Sequence, residues 1–364
     1  MKYHIDQRAV ARLCLLVLCV GWLQAQKINF SVHGYLSQAY GKTDGLPFLG
    51  IPEEGTTDYR NMAIQLRLDH DEEHIFIVQL THKRVGVSPL ASSYEDVELD
   101  WGFYKYQINA NASVKVGKVL FPSGIYNELR DVGPVLPYFR APILVYGDGQ
   151  FFSETLNGAV FSQSLWERSD WRVDYDLFYG GWESLQSLDP TDVDVNQYRD
   201  AHGVRIWLNT PVEGLRVGYF FSRDTFVGEG EVDGVAEADE RQTNWIGSVD
   251  GTFERWVCQL ELRRWGFSLG SYKAGYAYLG LNFGPHWQVN LQASRARLEL
   301  APPLYGIESE DMEDDALGLN YRFARGVVKL EYHRHKNSPF VESRTVFVED
   351  PQVKFYILSL AVGF

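Results

Sequence analysis

The side chains able to do chemistry in this 364-residue chain are mostly charged and widely scattered. His333 and His335 flank Arg334, which would put two imidazoles on one face of a strand, where they could hold a metal. No third ligand lies nearby in sequence, so the pair reads as two polar strand residues and no metal is expected. Phosphate-binding glycine loops and cysteine clusters are absent. A Ser, His and Asp drawn from separate strands could still form a hydrolase without any local motif. What remains is electrostatic chemistry, in which fixed charges attract or repel a solute without forming a bond. The basic candidates are Arg67, Lys83, Lys115, Arg205, Arg216, Arg255 and Arg263. Arg130 and Arg140, with the acidic Glu128 and Asp131, lie together in one proline-rich stretch.

The elements that position these charges read as strands. Aromatic residues make up 14% of the chain and Gly 33 positions, against three Met and three Cys. Such a composition suits pleated sheets and turns better than helices. No apolar run approaches the ~20 residues of a membrane-spanning helix. A net charge of −14 argues against a nucleic-acid partner, which requires a basic face.

Residues 1–25 read as an export signal: Lys2, Arg8 and Arg12 precede the apolar run Leu13 to Leu23, with a cut expected after Ala25. Its removal takes three basic and one acidic residue, moving the net charge from −14 to −16. Cys14 and Cys19 leave with it, so Cys258 has no partner for an internal disulfide.

Period-two alternation runs through residues 26–364. Met62, Ile64, Leu66 and Leu68 share one face of a strand, and Trp256, Cys258, Leu260 and Leu262 share another. Sixteen such segments are expected, near 28–41, 58–70, 73–85, 94–109, 111–119, 155–167, 170–182, 197–210, 213–226, 240–253, 255–267, 269–284, 286–300, 311–323, 326–338 and 351–364. Tight connections such as His70–Glu73 and Phe323–Gly326 take turns with long polar ones at 42–57, 183–196, 227–239 and 301–310. The short step from Phe267 to Leu269 is an exception. Trp166, Trp171, Phe253, Trp256, Phe283 and Trp287 flank tight turns, as a membrane-interface girdle would. Together these features predict an all-β transmembrane antiparallel barrel. In the last strand Tyr356, Leu358, Leu360, Val362 and Phe364 form an apolar face running to the end, which looks like the signal read by the barrel assembly machinery of bacterial outer membranes.

The longest connection, 120–154, follows the fifth segment and contains Gly117-Lys118 just before it, then Pro122, Gly124, Tyr126-Asn127 and Arg130-Asp131. Its many aromatic and aliphatic residues imply packing against a surface. On these residues the chain resembles the sixteen-stranded porins of Gram-negative bacteria. That resemblance implies a loop folded into the lumen as a constriction, passage of small hydrophilic solutes or ions, and no cofactor or enzymatic step. It also implies outer-membrane lipid and lipopolysaccharide as surroundings, and is compatible with a homotrimer. Two acidic runs, Glu229–Glu240 and Glu308–Asp315, are expected in loops, as a cation-concentrating vestibule or as solvated chain bridged to lipopolysaccharide by divalent ions. Arg67 and Lys83 facing Glu128 and Asp131 would set a field across the pore or tie the loop to the wall. A structural or adhesive barrel closed by its own loop is the main alternative; barrel hydrolases usually have fewer strands and no long infolded loop.

Overall fold

The computed structural model describes residues 28–364 except 95, 148–151, 169, 190–191, 228–230, 233–234, 237–238, 305–306 and 338–351. The expected export signal lies outside the described residues. Sixteen antiparallel strands close into one barrel. In chain order they are β1 (Ile28–Asp44), β2 (Thr56–His70), β3 (His74–Val85), β4 (Glu98–Asn109), β5 (Ala112–Leu120), β6 (Thr155–Arg168), β7 (Trp171–Asp189), β8 (Asp192–Asn209), β9 (Leu215–Phe226), β12 (Glu240–Thr252), β13 (Trp256–Phe267), β14 (Gly270–Phe283), β15 (Trp287–Leu304), β16 (Ile307–Phe323), β17 (Gly326–Lys336) and β18 (Gln352–Gly363). The two-residue strands β10 (Glu231–Val232) and β11 (Val235–Ala236) pair in a separate hairpin.

Each of the sixteen expected segments corresponds to one barrel strand. Two expected loops do not. Segments 183–196 and 301–310 are mostly strand, because β7 and β8 pair out to Asp189 and Asp192, and β15 and β16 out to Leu304 and Ile307. The acidic run Glu308–Asp315 therefore lies in β16, not in a loop. Its outward charges are tolerated in a strand because Asp315 and Asp311 pair with Arg295 and Arg297 on β15. Part of the other run, Glu229–Glu240, falls outside the described residues.

The strand faces are inverted relative to a water-soluble protein. On β13, Leu260 and Leu262 are 43% and 53% exposed, while Glu261 between them is fully buried. On β18, Tyr356, Leu358 and Leu360 are exposed and Ser359 and Ala361 buried. An apolar outer face and a polar inner one suit a barrel whose outer solvent is lipid. Closure is direct: Gly34 and Phe364 exchange both backbone hydrogen bonds at 3.0 Å, and β1 pairs with β18 from Tyr35 to Asp44. Closure removes the unpaired edge that hydrocarbon could not satisfy. Outward Phe253, Trp256, Phe283, Trp287, Tyr321 and Phe323 gather at the end with tight turns.

Three segments reach inward. Phe48 of the β1–β2 connection stacks near His335 and Phe355, with ring centroids 4.4 and 5.4 Å away. A helical turn at Pro89–Ser93, between β3 and β4, contacts β7 and β8 across the barrel. The third is the β5–β6 connection, whose Ile125, Leu136, Tyr138, Leu144 and Tyr146 join Tyr272, Tyr276 and Phe355 of the wall in an apolar cluster. The inner face is thus partly apolar, which a polar-lined lumen does not lead one to expect.

Candidate functional site

The β5–β6 connection is held at its base by its own residues. Asn127 donates to the carbonyls of Phe121 (2.8 Å) and Glu154 (3.2 Å), joining the two ends of the loop. Arg130 donates to the carbonyls of Tyr146 and Phe152, and its guanidinium stands 3.4 Å from Glu154. Gly124 has φ +59°, a left-handed conformation. A Cβ there would strike the Tyr146 hydroxyl and fall 2.8 Å from Glu261. Those contacts account physically for Gly124, Asn127 and Arg130 within the motif.

Wall side chains then grip the loop, largely by its backbone. Glu261 on β13 accepts from the Ile125 N–H at 2.9 Å, from Ser248 at 2.5 Å, and from the Tyr146 hydroxyl. Arg263 donates to the Val145 carbonyl at 2.5 Å and lies over the Phe152 ring. Tyr272 on β14 donates to the Leu144 carbonyl, within the single helical turn α1 (Ile143–Tyr146). From β16 and β17, Asn320 donates to Pro137, Lys329 donates to Gly133 and Tyr138, and Glu331 accepts from the Phe139 N–H. A buried backbone must find partners for its polar groups, and these inward residues supply them. Contacts to β13, β14, β16 and β17 on one side, and to β3 and β8 on the other, carry the loop across the barrel interior.

Two ionic clusters hold the far side. Lys83 on β3 stands 2.5 Å from Asp131, 3.8 Å from Glu154 and 4.0 Å from Asp100. The three carboxylates offer oxygens within 4.8 Å of one another, the spacing of a metal site, but the Lys83 ammonium occupies the cationic position. Burial raises the Asp131 pKa, but Lys83 and Arg130 outweigh it and hold the group below the usual carboxylate range. Burial and the carboxylates of Asp131 and Asp100 push Glu154 well above that range. In the second cluster Arg205 on β8 bonds both Asp176 (2.8 Å) and Glu128, with Lys115 4.0 Å from Glu128. Burial opposes the Glu128 charge, yet Arg205 and Lys115 hold its pKa below the ordinary value.

The residues singled out in the sequence fall into four groups. Lys83, Lys115, Glu128, Arg130, Asp131 and Arg205 meet around the loop, and Arg140 bonds and stacks on Tyr59 beside it. Arg67 and Arg216 remain on the wall, paired with Asp69 and Asp250, and Glu128 meets Arg205 instead of Arg67. Arg263 is 5% exposed beneath the loop, so it does not line open space. Arg255 lies outside the strands, exposed in the tight turn between β12 and β13, because β13 starts one residue later. Glu261, Lys329 and Glu331, which parity alone turns inward, and Tyr272 of β14 join the loop's anchors, a role that no motif in the sequence marks. His333 and His335 face Asp314 and Glu331 at 3.4–3.5 Å.

No protein-family model and no curated protein sequence matches the chain. Solved structures do. The chain is similar to Salmonella typhi OmpF, solved in complex with daunomycin, at 11% identity and TM-score 0.64, over 92% of this chain and 97% of that one. It is similar to an anion-selective porin from Comamonas acidovorans at 11% identity and TM-score 0.57, over 93% and 100%. A trimer form of OmpT, an outer membrane protein of Vibrio cholerae, matches at 10% identity and TM-score 0.58, over 93% and 99%. The chain has the closed-barrel fold of the outer-membrane porins.

Proposed function

We propose that the protein is a passive channel for small hydrophilic solutes or ions, narrowed by the β5–β6 connection. The observation that carries this reading is the unequal filling of the interior. The loop seals itself against β13–β17, whereas charges on β2, β7 and β9, among them Arg67, Asp174 and Arg216, stay partly exposed on the inner wall. Charged walls around a narrowed passage select solutes by size and sign without a covalent step. Export by residues 1–25, insertion by the assembly machinery through the β18 face, and association of copies into a trimer belong to the same reading. Planar-bilayer recording tests it: stepwise conductance is expected on addition of the purified protein. A specific observation favours a second reading, a structural barrel closed by its own loops, because the Phe48, Pro89–Ser93 and β5–β6 segments all pack inward. Wild-type protein that inserts but never conducts would support that alternative.

A further inference from the structure

The tight β2–β3 connection carries a histidine at each end, in the order His70-Asp71-Glu72-Glu73-His74. Asp71 takes a left-handed φ of +60°, and His70 and His74 form the last directly opposed pair of the β2–β3 ladder. Opposed residues share one face of a sheet, here the outward face that continues into Leu66 and Phe76. The two imidazole rings stand edge to face, with centroids 6.0 Å apart. Each ring has its Nδ1 engaged. His70 Nδ1 lies 3.1 Å from the Asp71 carboxylate, and His74 Nδ1 lies 2.6 Å from the Tyr104 hydroxyl on β4. A carboxylate only accepts, so a neutral His70 carries its proton on Nδ1 and keeps a lone pair on Nε2. The Tyr104 oxygen can accept from His74 in the same way. Neither Nε2 has a hydrogen-bond partner among the described residues. Glu72 and Glu73 are exposed and have no ion pair among the described residues.

We propose that His70 and His74 hold a divalent transition-metal ion of the zinc type through both Nε2 atoms, with a carboxylate of Glu72 or Glu73 and water completing its shell. A metal-ligating histidine usually has its Nδ1–H fixed by a carboxylate or another acceptor, because that bond sets the tautomer and the ring orientation. The spacing fits as well. With Zn–N bonds of ~2.0–2.1 Å, two imidazoles on one tetrahedral ion stand roughly 5 Å apart between centroids. Closing the observed 6.0 Å by about one ångström is a side-chain movement open to His70, which is 35% exposed. Three successive carboxylates between the two rings supply the negative potential that draws in a cation. Tyr104 and Tyr106 flank His74 at 5.9 and 5.3 Å, as an interfacial aromatic row would, but such a row does not call for carboxylates between two imidazoles. Calcium or magnesium would use the carboxylates alone, whereas imidazole selects zinc and its neighbours.

The test uses the full-length protein in detergent, dialysed to equilibrium against zinc, with bound metal measured by inductively coupled plasma mass spectrometry. His70→Gln and His74→Gln each remove one ligand, and His286→Gln, at another tight turn, is the control. Expected is zinc bound at this turn by the wild type and the control, and at least about tenfold weaker binding in either ligand variant. Folding of each variant is checked by the heat-modifiable gel shift of a barrel. Zinc bound equally by folded His70→Gln and His74→Gln proteins would overturn the proposal and move the metal to other residues. Wild-type protein that binds no zinc would overturn it outright. Calcium bound as tightly as zinc would do the same, by showing an acidic turn in which imidazole has no part.

Discussion

The carboxylate of Glu261, fully buried on β13, accepts the backbone N–H of Ile125 at 2.9 Å from the loop that crosses the barrel. One side chain thus serves three donors, the others being Ser248 and Tyr146. Glu261→Ala would leave the Ser248 and Tyr146 hydroxyls without this acceptor, at ~1–3 kcal/mol for each group left buried without a partner, while the Ile125 N–H keeps the Tyr146 hydroxyl oxygen at 2.8 Å. The expected result is a lower unfolding temperature in detergent and larger, noisier single-channel conductance. Glu261→Gln, which keeps an acceptor oxygen, should show a smaller effect on both.

Gly124→Ala tests the same junction from the loop side. Its φ of +59° disfavours any side chain, and the added methyl has no space beside Tyr146. The variant should fold as a barrel but expose its loop to added protease, giving cleavage within 121–154 that the wild type resists. Resistance equal to wild type would show that the loop docks without this turn.

The loop anchors should respond to acid with a defined sign. Asp131 and Glu128 have folded pKa values below their ordinary ones, after the desolvation that opposes this is outweighed by Lys83 and Arg205. A depressed carboxylate contributes stability that is present above the unfolded value, roughly pH 4, and is lost as pH falls through the lower folded value. Loop protection from protease should therefore not fall between pH 7 and ~5, where the raised pKa of Glu154 favours the folded state as protons are added, and should decline only below ~4. Loss of protection already at pH 6 would contradict the paired arrangement.

Lys83→Met should shift selectivity. It leaves Asp100, Asp131 and Glu154 clustered without the ammonium between them. Reversal potentials under a salt gradient should move towards cations, more at 0.1 M than at 1 M salt, since screening shortens from ~10 Å to ~3 Å. Arg205→Gln, which frees Glu128, should move the same way.

Assembly should depend on the last strand. Leu360→Asp places a charge on the lipid face of β18, at a cost somewhat below the ~2–4 kcal/mol of a basic residue at mid-bilayer. Deleting Phe364 removes the two backbone bonds to Gly34 at the end of the β1–β18 ladder that closes the barrel. Each variant should lose the heat-modifiable form in outer-membrane fractions, and normal levels of that form would refute the role of this strand.

Strand number, order of connections and the lipid-facing residues could be read from the sequence, because side-chain parity is a local property of an extended chain. Leu260 and Leu262 must point one way and Glu261 the other, wherever the strand lies. Ion pairs along Asp311 and Asp315 also let β15 and β16 run on through charged sequence that composition assigns to a loop. Tertiary structure alone decided which inward charges face open space and which are covered. Arg216 and Arg263 have the same parity and chemistry, yet the first lies half-exposed on the wall and the second beneath Phe152. Likewise Glu128 meets Arg205 and not Arg67, 77 positions along the chain, since barrel closure brings β8 and the loop together. The loop has no periodicity to fix its path. Its course follows from where the barrel offers partners for its backbone, and that is a property of sixteen strands assembled, not of any one.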